Sequence, residues 1–152
     1  FSGALTVILF FKFGPTGIFL LYLVLFIGLI TIFRIDQDMM VIPDLLSLPL
    51  LGLGFFASVL GAIPGVSWTD SFLGISIGLA ILYAPAKIFE YTKGVAGLGG
   101  GDIKLLAMVG AWTSAQGVIF TLFFAALTGF VMSVISVTLH KKSASEPIPF
   151  GP

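Results

Sequence analysis

The sequence predicts an all-α protein, a polytopic transmembrane helix bundle of about six apolar segments, one of them short and starting after a glycine loop. Three observations carry this expectation. Hydrophobic residues make up 58 % of the 152 and charged residues 9 %, against about 25 % charged in soluble domains, so too few polar side chains remain to cover a water-exposed surface. The apolar residues come in long runs, and mean hydropathy is +1.17, which makes lipid the fitting solvent. The few charges lie between the runs, almost all on one side of the bilayer when the spans are followed in order.

The segments can be taken from the amino terminus. The first, Gly3–Phe11, is short, and Lys12 to Pro15 reads as a turn. The second, Thr16–Ile35, is long enough at 1.5 Å per residue to cover the roughly 30 Å hydrocarbon core. A polar stretch from Asp36 to Asp44 follows. The third runs from about Leu45 to Ile63, with Pro49 expected in its first turns, where proline is best tolerated. Residues 64–69 form a loop with an interfacial Trp68. The fourth runs from about Asp70 to Glu90, with Pro85 an expected kink. The stretch from Gly94 to Gly101 is too glycine-rich to be expected helical. The fifth, Asp102–Thr113, is too short to cross a bilayer from face to face, and so starts inside the membrane, tilts into a cavity or is re-entrant. The sixth, Gly117–Leu139, is a full span closed by His140, Lys141 and Lys142. The chain begins on Phe1 and ends on Pro149-Phe150-Gly151-Pro152. It reads as one membrane-embedded domain over residues 1–152, cut from a longer protein at both ends.

Parity then assigns sides. If the second span ends on one face at Asp36, the glycine loop and His140 return to that face. Arg34, Lys87, Lys93, Lys104, Lys141 and Lys142 fall there, and only Lys12 falls opposite. Such a bias marks the cytoplasmic face. Asp36, Asp38, Asp44, Glu90, Asp102 and Glu146 lie there too, with Asp70 the exception. The net charge is zero, which gives a nucleic-acid partner no electrostatic support. Cysteine is absent and His140 is the one histidine, so disulfides and thiolate sites are excluded and a histidine-built metal site is not expected. No cofactor is expected.

Two carboxylates stand out. Asp36 follows an apolar run broken only by Arg34, and Asp102 opens the short fifth segment directly after three glycines. A carboxylate at membrane depth is costly and is a functional candidate by default. Two carboxyl groups within hydrogen-bond reach cannot both ionise cheaply, so one serves as base and the other as acid. The base activates a water and the acid protonates the carbonyl oxygen or leaving amine, the minimum equipment for peptide hydrolysis without a metal. Glycines beside Asp102 would let an extended substrate backbone approach. Plainer readings stand beside this one. Asp102 after glycines suits a helix N-cap, and Asp36 suits an interfacial charge beside Arg34. Asp38 and Asp44 read as loop acids, Asp44 also as a cap of the third span. Lys104 reads as a snorkelling side chain.

Residues 33–44, with Asp36 eight positions before the acid of Pro43-Asp44, resemble the first aspartate motif of the prepilin peptidases. Residues 97–107, with Gly99, Gly101, Asp102 and Lys104, resemble the second, Gly-x-Gly-Asp followed by a lysine and an apolar helix. Pro149–Pro152 resembles a third element of that family. The resemblance implies an intramembrane aspartic endopeptidase of the cell inner membrane that removes the leader peptide from type IV prepilins or pseudopilins at the cytoplasmic face. Asp36 and Asp102 match its catalytic pair. Gly99 and Gly101 match its glycines, read here as letting the substrate backbone approach. Asp38, Asp44 and Lys104 are candidates for leader contacts or site support. The implied partners are a prepilin or pseudopilin helix and the bilayer; the oligomeric state is open. Many bacterial members also carry an amino-terminal cytoplasmic region, often with paired cysteines, and N-methylate the product. Nothing in this chain resembles that region, so methyl transfer is not assigned to it. A different class, a cation- or proton-coupled transporter using the same carboxylates, remains the alternative. Against it, the charges lie on one face and no matching broken segment occurs in the other half.

Overall fold

The computed structural model describes residues 11, 14, 16–94 and 99–140, with backbone alone at Lys93 and 136–140. Among these residues the chain forms four helices and no strand: α1 (Gly17–Met39), α2 (Asp44–Val59), α3 (Trp68–Lys93) and α4 (Gly100–His140). Three stretches are long and apolar enough to cross a membrane, Gly17–Met39, Trp68–Thr92 and Gly100–Ile135. The expected all-helical architecture is present, but the count of about six segments is not confirmed. The first segment, apart from Phe11, and the closing Pro149–Pro152 lie outside the described residues. The third is α2, whose 16 residues span only about 24 Å; its helix ends at Val59, short of the expected Ile63. The fifth and sixth are joined in α4.

Ser114 explains that join. It sits at φ 71, ψ 179 and breaks the regular helix into arms over residues 100–113 and 115–140. The arms fold back on each other: Val118 of the second packs on Gly110 of the first, and Leu105 and Val109 lie across a cavity from Leu122 and Ala125. The first arm is about 21 Å long, the length that made the fifth segment too short for a simple span.

Other boundaries also shift. α1 runs four residues past Ile35, so Asp36 and Asp38 are helical and not in a polar loop. Met40 in the left-handed conformation ends it, donating its N–H to the Asp36 carbonyl at 2.8 Å. Pro49 is the sixth residue of α2, within its first two turns as expected, and α3 continues through Pro85. Trp68 is the first residue of α3, not a loop residue. Ser67 and Asp70 form a reciprocal capping box there, with Asp70 N–H to Ser67 Oγ at 3.2 Å and Ser67 N–H to Asp70 Oδ2 at 3.1 Å. Gly100 and Gly101 belong to α4, because a helix start tolerates glycines that a helix interior would not.

The α3–α4 contact is the most extensive, and α2–α4 comes next. Gly74, Gly78 and Gly110 make the first possible. A Cβ on Gly74 would strike the Gly110 carbonyl oxygen, and one on Gly110 the Gly74 carbonyl oxygen. A Cβ on Gly78 would lie 2.8 Å from the Leu106 carbonyl oxygen. Gly74 and Gly78 are four apart on one helix face, the small-residue spacing that lets membrane helices approach backbone to backbone. Ser71 Oγ donates to the Ala111 carbonyl oxygen at 2.8 Å, buried in the same contact. On the other side Trp112 fills the space over Gly54, where a Cβ would meet its Cδ1 at 2.6 Å. Trp112 Nε1–H donates to the Leu50 carbonyl oxygen at 2.9 Å. Ile32, Leu50, Ala57, Met108 and Ala111 complete the core around it. Large apolar side chains such as Leu20, Phe120, Phe124 and Phe130 point outward, as a lipid-facing surface requires.

Gly74→Val and Gly110→Val each separate α3 from α4, and a loss of about 1–3 kcal/mol is expected, read as a lower melting midpoint in detergent. An unchanged midpoint would remove the close glycine contact from the account. Ser114→Gly has the opposite expectation. Relief of about 1–3 kcal/mol of backbone strain exceeds the roughly 0.5–1 kcal/mol entropic cost of glycine, so its midpoint should rise, and a fall would contradict the left-handed geometry at the break.

Candidate active site

Asp36 and Asp102 come from helix ends 66 positions apart in the sequence. Asp36 sits in the last turn of α1, and the αL turn at Met40 and Pro43 then send the chain across the start of α4 in extended form. Asp102 is the third residue of α4, in its first turn, so it is not the N-cap. Its N–H donates to the Gly99 carbonyl oxygen at 3.2 Å. Both carboxylates are half-buried.

The residue between these two segments is Ile42. It is buried, and a Cβ on Gly101 would lie 2.7 Å from the Ile42 Cβ. Glycine at 101 therefore lets the linker of residues 40–43 lie directly on the first turn of α4. That contact closes a cleft of about 260 Å³ lined by Asp36, residues 40–42 and the run from Gly99 to Asp102. The structure thus brings together four of the residues singled out in the sequence: Asp36, Gly99, Gly101 and Asp102. Among the described residues no lysine or arginine lines this cleft. Gly99 differs from Gly101: among the described residues a Cβ there meets Asp102 Oδ2 at an ordinary 3.5 Å and nothing nearer.

The remaining candidates sit differently. Asp38 is exposed, on α1, and is not part of the cleft wall. Asp44 and Lys104 are partners of each other: Lys104 Nζ donates to Asp44 Oδ1 at 2.7 Å and to Oδ2 at 2.6 Å. Lys104 therefore does more than snorkel, and Asp44 makes no cap hydrogen bond, Pro43 being the N-cap. The pair is partly exposed, so its energetic value is small, roughly 0–1 kcal/mol. Its geometric effect is larger, because it ties the first turn of α2 to the second turn of α4 next to the cleft. Among the described residues, no three His, Asp or Glu side chains converge as a metal site would require.

Reasoning from sequence did not find the cleft's other wall. Met40, Val41 and Ile42 fall within the stretch from Asp36 to Asp44 that reads simply as polar. The available signal was Pro43, which forces Ile42 into extended backbone. Trp112 and the Gly74/Gly78 pair were also missed as the parts that hold α4, although Gly74-Ile75-Ser76-Ile77-Gly78 shows the small-residue spacing openly.

Fold and site together define a class: a helical membrane protein with two aspartates on one glycine-walled cleft at adjoining helix ends. Comparison with known proteins is specific. The model of the type IV leader peptidase family matches residues 23–134, which include both aspartates and every residue of the cleft wall. The chain belongs to this family. It is similar to the prepilin leader peptidase/N-methyltransferase of Pseudomonas aeruginosa, 38 % identical over 125 residues, covering 82 % of this chain and 42 % of that protein. The protein of that name from Aeromonas hydrophila is 38 % identical over 124 residues, with the same two coverages, 82 % and 42 %. The one from Burkholderia pseudomallei is 32 % identical over 151 residues, 99 % of this chain and 48 % of that protein. The chain thus spans less than half the length of these relatives. No solved structure matches it.

The two glycines separate by experiment. Gly101→Ala pushes Ile42 off α4 and lowers the melting midpoint without any substrate, and it should cost less in a chain that carries Ile42→Gly, which lacks the opposing Cβ. Gly99→Ala has room and should leave the midpoint in place. If the two alanines behave alike, the Ile42 contact does not close the cleft.

Proposed function

We propose that this chain is the peptidase part of an intramembrane aspartic endopeptidase of the cell inner membrane, removing the leader peptide from type IV prepilins or pseudopilins at the cytoplasmic face. The observation that carries the reading is the meeting of Asp36 and Asp102 on one cleft with a glycine wall. The names of the relatives support the substrate class, and the one-sided distribution of basic residues supports the orientation.

The chemistry follows from the arrangement. Two carboxylates brought within reach on one small cleft cannot both ionise cheaply, so in this reading one acts as base and the other as acid. The ionised member takes a proton from a water whose oxygen attacks the scissile carbonyl carbon. The protonated member donates to the carbonyl oxygen. Collapse of the tetrahedral adduct returns a hydroxyl proton to the second carboxylate and breaks the C–N bond, and the departing amine takes the proton held by the first carboxyl. The glycine wall from Gly99 to Gly101 leaves space for an extended substrate backbone next to Asp102. Asp44 and Lys104 hold the two motif-bearing segments in register and so act through position.

Asp36→Asn and Asp102→Asn are each expected to lower the cleavage rate of a co-expressed prepilin by about 10²–10⁴-fold or more, read as loss of the shorter product on a gel, while membrane insertion persists. Normal cleavage by either variant would end the dyad assignment. The wild-type pH–rate profile should be bell-shaped, with two limbs that belong to the pair jointly. A single-limbed profile would indicate one working carboxylate.

A further inference from the structure

A second, larger cavity of about 410 Å³ adjoins the first. It runs between the two arms of α4 and α3, with Leu105 and Val109 on one side, Leu122 and Ala125 on the other, and Leu82 of α3 at its edge. Gly99 and Asp102 line both cavities. Polar backbone and two carboxylates thus give way to an apolar groove at one residue, Asp102.

We infer that this groove receives the apolar helix of the substrate, whose polar, extended leader lies in the cleft at Gly99–Gly101. The inference rests on the peptidase reading above and adds the place where the uncleaved part of the substrate binds. Three features select this occupant. The groove lies within the segment of α4 long and apolar enough to cross a membrane, where a peptide must satisfy its own backbone hydrogen bonds and so enters as a helix. Ala125 and Ala126 are small and exposed, and small residues are what allow one membrane helix to lie close against another. The change from polar cleft to apolar groove falls at a candidate catalytic carboxylate, which is where a substrate with a polar leader and an apolar helix must present the bond between them. A leader rich in basic residues would also meet Asp36, Asp102 and the exposed Asp38 at the polar end.

The test uses the full-length protein carrying Asp102→Asn, so that substrate remains uncut, with a photo-crosslinking p-benzoyl-phenylalanine in place of Ala125. A control carries it in place of Phe120, which is 65 % exposed and lies on the opposite face of the same arm. A purified type IV prepilin with its leader is the probe. The expected result is a crosslink from position 125 to the prepilin's apolar helix and none from position 120. Crosslinking from 125 to another segment of the protein itself, to a second copy or to lipid alone overturns the inference, as does equal crosslinking from both positions. Cleavage assays on the otherwise wild-type protein separate the two readings. Aspartate-dependent cleavage without the crosslink rejects the groove and leaves the peptidase standing. A crosslink without aspartate-dependent cleavage rejects the peptidase and leaves the groove as a binding site. In a second variant, Ala126→Trp fills the groove and should abolish both prepilin cleavage and the crosslink at 125 while leaving the melting midpoint unchanged. Wild-type cleavage by that variant would count against the groove.

Discussion

The first arm of α4 has to be held against α2 and α3 without the help of water. In lipid, apolar side chains gain little by leaving the solvent, so association rests on close packing and on hydrogen bonds between helices. Gly74, Gly78 and Gly110 remove the side chains that would hold the α3 and α4 backbones apart. Ser71 and Trp112 then spend their donors on the carbonyls of Ala111 and Leu50. Both hydrogen bonds are buried, and among the described residues no buried side-chain polar atom lacks a partner. The arm gripped in this way carries Asp102 at its start.

The site inherits its geometry from that grip. Asp102 faces the cleft from a short arm anchored on two sides, while Asp36 reaches it only through the end of α1 and the extended linker at residues 40–43. Ile42 against Gly101, and Asp44 paired with Lys104, connect these two parts. The chemistry assigned to the aspartates therefore depends on residues with no chemical role of their own. Ser114 has a related effect at the other end of the arm. By folding the second arm back, it builds the apolar groove beside Asp102 and joins a polar cleft to a lipid-like one.

Much of this could be read in advance, and the failures have physical causes. The long apolar runs predict helices in lipid because backbone groups have no other partner there. The shortness of the fifth segment signalled a departure from simple spanning, and the structure supplies the break at Ser114. Helix ends were misjudged at particular places where composition suggested loops. Residues 36–39 after Ile35 and Gly100 and Gly101 before Asp102 lie within helices, since a terminal turn tolerates both. Lys104 read as a snorkelling side chain because its partner, Asp44, lies 60 positions away and spacing along one helix cannot reveal such a pair.

By itself the sequence determined the solvent, the helical class and the two aspartate motifs, because composition, hydropathy and local spacing are properties of short stretches of chain. Its match to the type IV leader peptidase family is likewise carried by residue identity in order. Only the tertiary structure decided that Asp36 and Asp102 share one cleft, that Gly101 is glycine because Ile42 lies on it, and that an apolar groove opens at the same carboxylate. These are relations between segments, and they depend on which backbones can approach each other. That approach is governed by glycines and by carbonyl acceptors on neighbouring helices, whose partners no local pattern names.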